Sequence, residues 1–202
     1  IFKKEDLSLI AERIFGKALM LQIGCGAEPT LFKHNLEILQ LANKYKIPNI
    51  KLITNGHLLT KEDIENYSKN GLNEIVLSLH GVHKNSYENF MTNGSYEKFH
   101  DILKIISNEK VNNKNLSLRI NYTFNEDNFE ELNDFFTVFG NYSINSIQLR
   151  PIDKIGNTEY NNFSLKKIES NYFNVITKLK NEAKSKEITF LAPSNINRAD
   201  IS

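Results

Sequence analysis

The sequence predicts an α/β fold built on parallel strands, and three observations carry that expectation. Strand-like and helix-like segments alternate along the whole 202-residue chain, the pattern that gives parallel strands with crossover helices. The strand-like segments are short apolar runs of the kind buried within a sheet. Five of them end in small or polar residues, at the carboxyl edge where ligands gather in such folds. An open doubly wound sheet and a barrel both satisfy these observations.

The elements follow in order. Leu7, Ile10, Ile14 and Phe15 share one helical face between residues 5 and 15, as in an amphipathic helix. "ALMLQI" (residues 18–23) reads as a buried strand and leads into a glycine loop. Leu36, Leu39, Leu41 and Ala42 mark a helix that stops before Pro48. "IKLIT" (residues 50–54) is a strand that ends in the turn signal Asn55-Gly56. Thr60 is placed to cap a helix through Lys69, and Asn70-Gly71 to end it. "EIVLSL" (residues 74–79) is a strand, residues 95–107 a helix, and "LSLRINYTF" (residues 116–124) an alternating strand. Asn128 with Glu131 has the spacing of a capping box that opens a helix to Phe139. "INSIQLRPI" (residues 144–152) is a strand, Ser164 caps a helix to about Lys184, and "ITFLA" (residues 188–192) is a last strand. The expected organisation is a single domain over residues 1–192, with residues 193–202 starting a C-terminal extension or tail.

Composition excludes several function classes. Basic and acidic residues number 25 and 24, for a net charge of +1, which gives no electrostatic footprint for nucleic acid or an anionic membrane surface. The apolar runs are too short to span a bilayer. One cysteine rules out an internal disulfide framework, and no secretory signal is visible. A cytoplasmic protein is the expectation. The chain begins at Ile1, so an upstream segment is expected beyond it.

The strand ends are the candidate site: Gly24 to Pro29, Thr54-Asn55-Gly56, Ser78 to Gly81, Arg119 to Asn121, and Arg150-Pro151. In "GCGAEP" the small residues Gly26 and Ala27 leave backbone groups open to a ligand. Glu28 adds a carboxylate suited to an ammonium group, or else to the start of the following helix. The loop lacks the G-x-G-x-x-G dinucleotide spacing. Arg119 sits inside an apolar strand, where a charge is costly unless paired. It suits a ligand carboxylate, or else points outward or pairs with a neighbouring acid. Ser78 and His80 can donate hydrogen bonds to a carboxylate or a ribose hydroxyl. His34, His57, His83 and His100 have no metal-ligand spacing and read as surface residues. Cys25 reads as a small packing residue, and one cysteine cannot hold an iron–sulfur cluster. No residue is assigned a catalytic role, and no metal ligands are assigned.

Taken together, these residues resemble the radical S-adenosylmethionine superfamily. "GAEP" (residues 26–29) is similar to its glycine-glycine-glutamate-proline motif, and "ITNGHLL" (residues 53–59) to its threonine-asparagine-glycine turn. "LSLHG" (residues 77–81), "INYTFNEDN" (residues 120–128) and "IQLRPI" (residues 147–152) match the later strands in order. The turn at Ser78 and the strand at Ile120 look most like the SPASM-type branch that modifies peptides or matures other enzymes. The resemblance implies a partial (β/α)6 barrel, its first strand absent, with S-adenosylmethionine across its open top. Gly26, Ala27 and Glu28, with Pro29 behind them, would then hold the methionine amino group, beside the turn at Thr54 and Asn55. Ser78 and Arg119 would hold the carboxylate, His80 and Asn121 would meet the ribose or carboxylate, and Leu149, Arg150 and Pro151 would flank the adenine.

The resemblance also implies an activity. In the intact protein a reduced [4Fe–4S] cluster would cleave S-adenosylmethionine, and the resulting 5′-deoxyadenosyl radical would abstract hydrogen from a peptide, protein or small-molecule substrate. An electron donor such as flavodoxin or ferredoxin is implied. The family's cluster loop, with its three closely spaced cysteines, is not in this chain. The expectation is a fragment that lacks that loop and does not turn over alone; the alternative is a cluster-free barrel acting as a binding module. A cluster-free lyase or aldolase ranks last, because the strand ends carry neither a lysine nor metal ligands. Ala27 replaces the family's second glycine and narrows the backbone approach slightly.

Overall fold

A computed structural model describes residues 4–153 and 163–196. Six parallel strands form one sheet in the order β1-β2-β3-β4-β5-β6, the α/β arrangement that the alternation predicted. The strands are β1 Met20–Ile23, β2 Asn49–Thr54, β3 Glu74–Leu79, β4 Ser117–Phe124, β5 Ser146–Pro151 and β6 Thr189–Leu191. The helices are α1 Lys4–Ile14, α2 Asn35–Lys44, α3 Lys61–Lys69, α4 Lys84–Phe90, α5 Tyr96–Asn112, α6 Phe135–Phe139 and α7 Glu169–Ser185. No helix among the described residues is long and apolar enough to cross a membrane.

The chain divides into two compact units. The first comprises residues 4–77 and 97–118. Leu21 pairs with Ile50, and Leu52 with Ile75, which sets β1, β2 and β3 in parallel register. The α2 residues Leu39 and Ala42, Ile64 of α3, and Leu103 and Ile106 of α5 are buried; each lies on one face of an amphipathic helix. Thr60 and Asp63 form a reciprocal capping box at the start of α3. At its end Gly71 takes a φ of +97°, and Leu72 N–H donates back to Tyr67 O at 3.0 Å.

The second unit comprises residues 78–96, 119–153 and 163–196. Ile120 pairs with Ile147, and Ile147 with Phe190, again in parallel register. Its core is aromatic: Phe124, Phe129 and Tyr172 have ring centroids 5.2 to 6.2 Å apart, a spacing favourable beyond area burial alone. Ser164 accepts from Lys166 N–H and opens a 3₁₀ turn that runs into α7.

Two local expectations are corrected here. The short helix α4 was not anticipated; "KNSYENF" carries no clear apolar period, and only Tyr87 in it is buried. Asn128 and Glu131 do not form a capping box, and residues 130–134 form a 3₁₀ turn ahead of α6. Both side chains are engaged elsewhere, as described below.

Gly81, between β3 and α4, makes a sharp stability test. A Cβ at this position would collide with Ser86 Oγ and with the main chain of Ser86 and Tyr87. Gly81→Ala is expected to cost about 2 kcal/mol through overpacking, read as a lowered urea midpoint with an unchanged slope. A midpoint equal to the parent's would show that the turn has room.

Candidate functional site

In the first unit the turn after β1 carries the most distinctive geometry. Gly24 and Gly26 adopt φ values of +99° and +79°, conformations that cost an L-residue dearly. A Cβ on Gly26 would meet nothing within 4 Å, so its backbone is open on that side. Cys25 between them is exposed. This corrects the packing role expected for it: the two positive-φ residues carry it out from the core.

Glu28 closes the turn as the N-cap of a 3₁₀ turn over Pro29–Leu31. Its Oε1 accepts from Thr30 N–H at 3.1 Å, from the Thr30 hydroxyl, and from the Thr54 hydroxyl at 2.6 Å. Its Oε2 accepts from Asn55 N–H at 2.8 Å. Burial pushes the Glu28 carboxyl up, but the donors of Asn55, Thr30 and Thr54 outweigh it and hold the group below its ordinary value. The carboxylate therefore ties the end of β1 to the end of β2. Oε1 is filled, whereas Oε2 has one hydrogen-bond partner among the described residues and keeps a lone pair for a further donor.

Thr54 is buried and also accepts from Gly56 N–H at 3.0 Å, while Asn55 Oδ1 accepts from His57 N–H at 2.9 Å. The Thr54-Asn55-Gly56 segment is thus a rigid turn, with Gly56 at a φ of +80°. His57, expected on the surface, is half-buried. Burial lowers its pKa first, Lys98 lowers it further, and the negative charge of Glu28 opposes both. His100 is likewise half-buried, and burial holds it below its ordinary value.

The second unit holds the remaining candidates. Ser78 and Arg119 are half-buried, and Ser78 lies near the end of β3. Arg119 and Asn121, expected at a strand end, instead lie inside β4, which runs on to Phe124 because its apolar alternation continues past them. Asn121 is 6% exposed, and its Oδ1 has no hydrogen-bond partner among the described residues. An acceptor buried in that state calls for a donor. His80 is half-buried, and burial alone lowers its pKa. The neutral ring offers one donor and one acceptor. In β5, Leu149 is buried, Pro151 is half-buried, and Arg150 is exposed with its guanidinium donating to Gln148 at 3.1 Å.

Asn128 and Glu131 are engaged where sequence reasoning gave them another task. The Asn128 amide nitrogen donates to His80 O at 2.8 Å and to Thr123 O at 3.1 Å. Glu131 Oε2 accepts from Val82 N–H at 2.8 Å and His83 N–H at 3.2 Å. The contacts to His80, Val82 and His83 span 48 or 49 positions of sequence, and local spacing carries no sign of them. Among the described residues no group of three or more histidines, cysteines or carboxylates could hold a metal ion.

Comparison with known proteins adds an independent line. The sequence model of the Radical SAM superfamily matches residues 5–137. A probable GTP 3',8-cyclase of Saccharolobus solfataricus is 26% identical over 159 residues, covering 77% of this chain and 49% of that protein. The chain thus spans about half the length of the curated relatives it matches. Among solved structures, Streptococcus suis SuiB superposes with a TM-score of 0.72 at 18% identity, over 95% of this chain and 44% of its own. Native anSMEcpe with bound AdoMet superposes with a TM-score of 0.69 at 18% identity, over 95% of this chain and 55% of its own. At these identities the likeness is one of fold.

Proposed function

The chain belongs to the Radical SAM superfamily, and from that premise we propose that it is the S-adenosylmethionine-binding part of a radical enzyme. The observation that supports this most is the Gly24–Pro29 turn. It presents open backbone at Gly26 beside a carboxylate that stays ionised, a combination suited to an ammonium group. Gly26, Ala27 and Glu28 are assigned the cofactor's amino group, with Pro29, Thr54 and Asn55 holding their turn. Ser78 and Arg119 are assigned its carboxylate, and forked guanidinium chemistry suits Arg119 to that task. His80 and Asn121 are assigned the ribose or the carboxylate; Asn121 Oδ1, without a hydrogen-bond partner among the described residues, is an apt acceptor for a ribose hydroxyl. Leu149, Arg150 and Pro151 are assigned the adenine.

In the intact protein a [4Fe–4S] cluster would supply the electron that makes bound S-adenosylmethionine a source of an organic radical, which would take hydrogen from a substrate. The described residues do not fit the cluster, since they form no metal-holding group and the only cysteine is exposed. This chain's part is to bind and orient the cofactor; the cluster ligands are assigned to the intact protein outside it. A peptide substrate and the SPASM-type branch are favoured by the likeness to SuiB, solved with the precursor peptide SuiA, and to anSMEcpe, solved with AdoMet and the Kp18Cys peptide. A cytoplasmic setting, with a donor such as flavodoxin or ferredoxin, completes the reading.

The test is calorimetric titration of the chain with S-adenosylmethionine. Binding is expected, and Arg119→Gln is expected to weaken it at least about tenfold, equivalent to about 1.4 kcal/mol. A folded chain that binds no S-adenosylmethionine overturns the reading.

A further inference from the structure

We propose that Asn128 and Glu131 are positioning residues that clamp the His80–His83 turn and so set the orientation from which His80 meets the cofactor. The proposal rests on the cofactor reading given above. The clamp lies wholly within the second unit.

Asn128 is 2% exposed. Its amide nitrogen spends both protons, one on His80 O and one on Thr123 O, and its Oδ1 accepts from Asn125 N–H at 2.8 Å. One amide therefore joins the peptide after β3 to the last residues of β4. Asn128 is itself held: its own N–H donates to Asn125 Oδ1 at 3.2 Å, and its carbonyl accepts from the Tyr122 hydroxyl at 2.9 Å. Tyr122 is fully buried, and burial raises its hydroxyl pKa well above the ordinary value, with Glu131 adding to the rise. The phenol thus remains a donor at neutral pH.

Glu131 grips the other half of the turn. Its Oε2 accepts from Val82 N–H, from His83 N–H and from the Ser86 hydroxyl at 2.6 Å. Ser86 Oγ also lies 2.9 Å from His83 O, but a hydroxyl has one proton. The shorter, charge-assisted contact to the carboxylate takes it. The Tyr96 hydroxyl completes the set by donating to Val82 O at 2.7 Å.

Side chains thus hold four backbone groups of a four-residue segment: His80 O, Val82 N–H, Val82 O and His83 N–H. Gly81 between them has no room for a Cβ. A satisfied network of this kind, buried at Asn128 and Tyr122 and half-buried at Glu131, favours one geometry. The residue whose backbone it fixes first, His80, carries a half-buried neutral ring that this network does not engage. The clamp sets the backbone and leaves the ring for another partner.

The experiment uses the full chain with labelled histidine. The His80 ring resonances, assigned by His80→Gln, are read without cofactor, and S-adenosylmethionine affinity is read by calorimetry. Asn128→Asp keeps the acceptor for Asn125 and removes both donors. Glu131→Gln keeps the shape and removes the charge. Ile102→Val, in the buried face of α5 in the first unit, supplies a destabilised control. Both clamp variants are expected to shift the His80 resonances and to weaken binding at least about tenfold, whereas Ile102→Val lowers the thermal midpoint and moves neither. Unchanged His80 resonances and affinity in folded Glu131→Gln overturn the proposal, even where Asn128→Asp fails to fold. A parent chain that binds no cofactor overturns the functional reading instead, and is told apart because the resonances are read without cofactor.

Discussion

Gly24→Ala is expected to destabilise the chain by about 3 kcal/mol and to abolish S-adenosylmethionine binding in whatever fraction stays folded. Two costs add. The φ of +99° lies where a side chain strains the backbone by about 1–3 kcal/mol. The new Cβ would also run into the Ile53 carbonyl and the Pro29 ring. Ile53 cannot yield cheaply, because it sits in β2 with Val76 opposite it in β3. The turn must therefore move, taking Gly26, Ala27 and Glu28 with it. Gly26→Ala supplies the contrast. Its φ of +79° imposes strain, but a Cβ there meets nothing within 4 Å, so about 1 kcal/mol is expected. Urea unfolding of the two variants separates strain from collision. Equal losses would show that β2 does not press on the turn.

The contrast between these glycines also marks how far the sequence could be read. The β3 strand was legible to the residue, and β2 and β4 to within one, because apolar runs bounded by turn residues leave few alternatives. The α3 capping box was anticipated only at Thr60, and the partner proved to be Asp63. The Asn128 and Glu131 pair has the same spacing yet is no cap. What separates the two cases is tertiary: Asn128 is buried and its amide is taken by His80 and Thr123. Spacing cannot see such competitors. Cys25 was misread for a related reason. Cysteine is usually buried, but here the loop conformation outweighs the average. The turns after β1, β2 and β3 were legible as candidates because ligands gather at the carboxyl ends of parallel strands, whereas Arg119 and Asn121, read as a strand end, lie inside β4. The partners of Glu28 were not legible, since it reaches donors 26 and 27 positions away.

Glu28→Gln tests the best-connected of those partners. At pH 7 it is expected to cost about 2 kcal/mol, the range for hydrogen bonds made to a charged group. A glutamine oxygen can replace Oε1, but its amide then points a donor at the Asn55 N–H that Oε2 now accepts. The sign of the pH dependence follows from the carboxyl's lowered pKa. Below its ordinary value of 4.5 the unfolded chain takes up a proton on Glu28 before the folded chain does. Stability from this group is therefore complete above that pH and is lost as pH falls through the lower folded value. Glu28→Gln removes this part of the slope, so its stability curve should meet the parent's in acid and fall below it at neutral pH. Parallel curves would mean that the carboxylate's charge is not what the four donors hold. A second readout lies nearby. The Glu28 charge raises the pKa of His57 against burial and Lys98, so in Glu28→Gln the His57 titration should move to lower pH. Because His57 is read by its own resonance, this holds whether or not the chain binds a ligand, and it ties the observed stability change to the charge of Glu28 rather than to its shape.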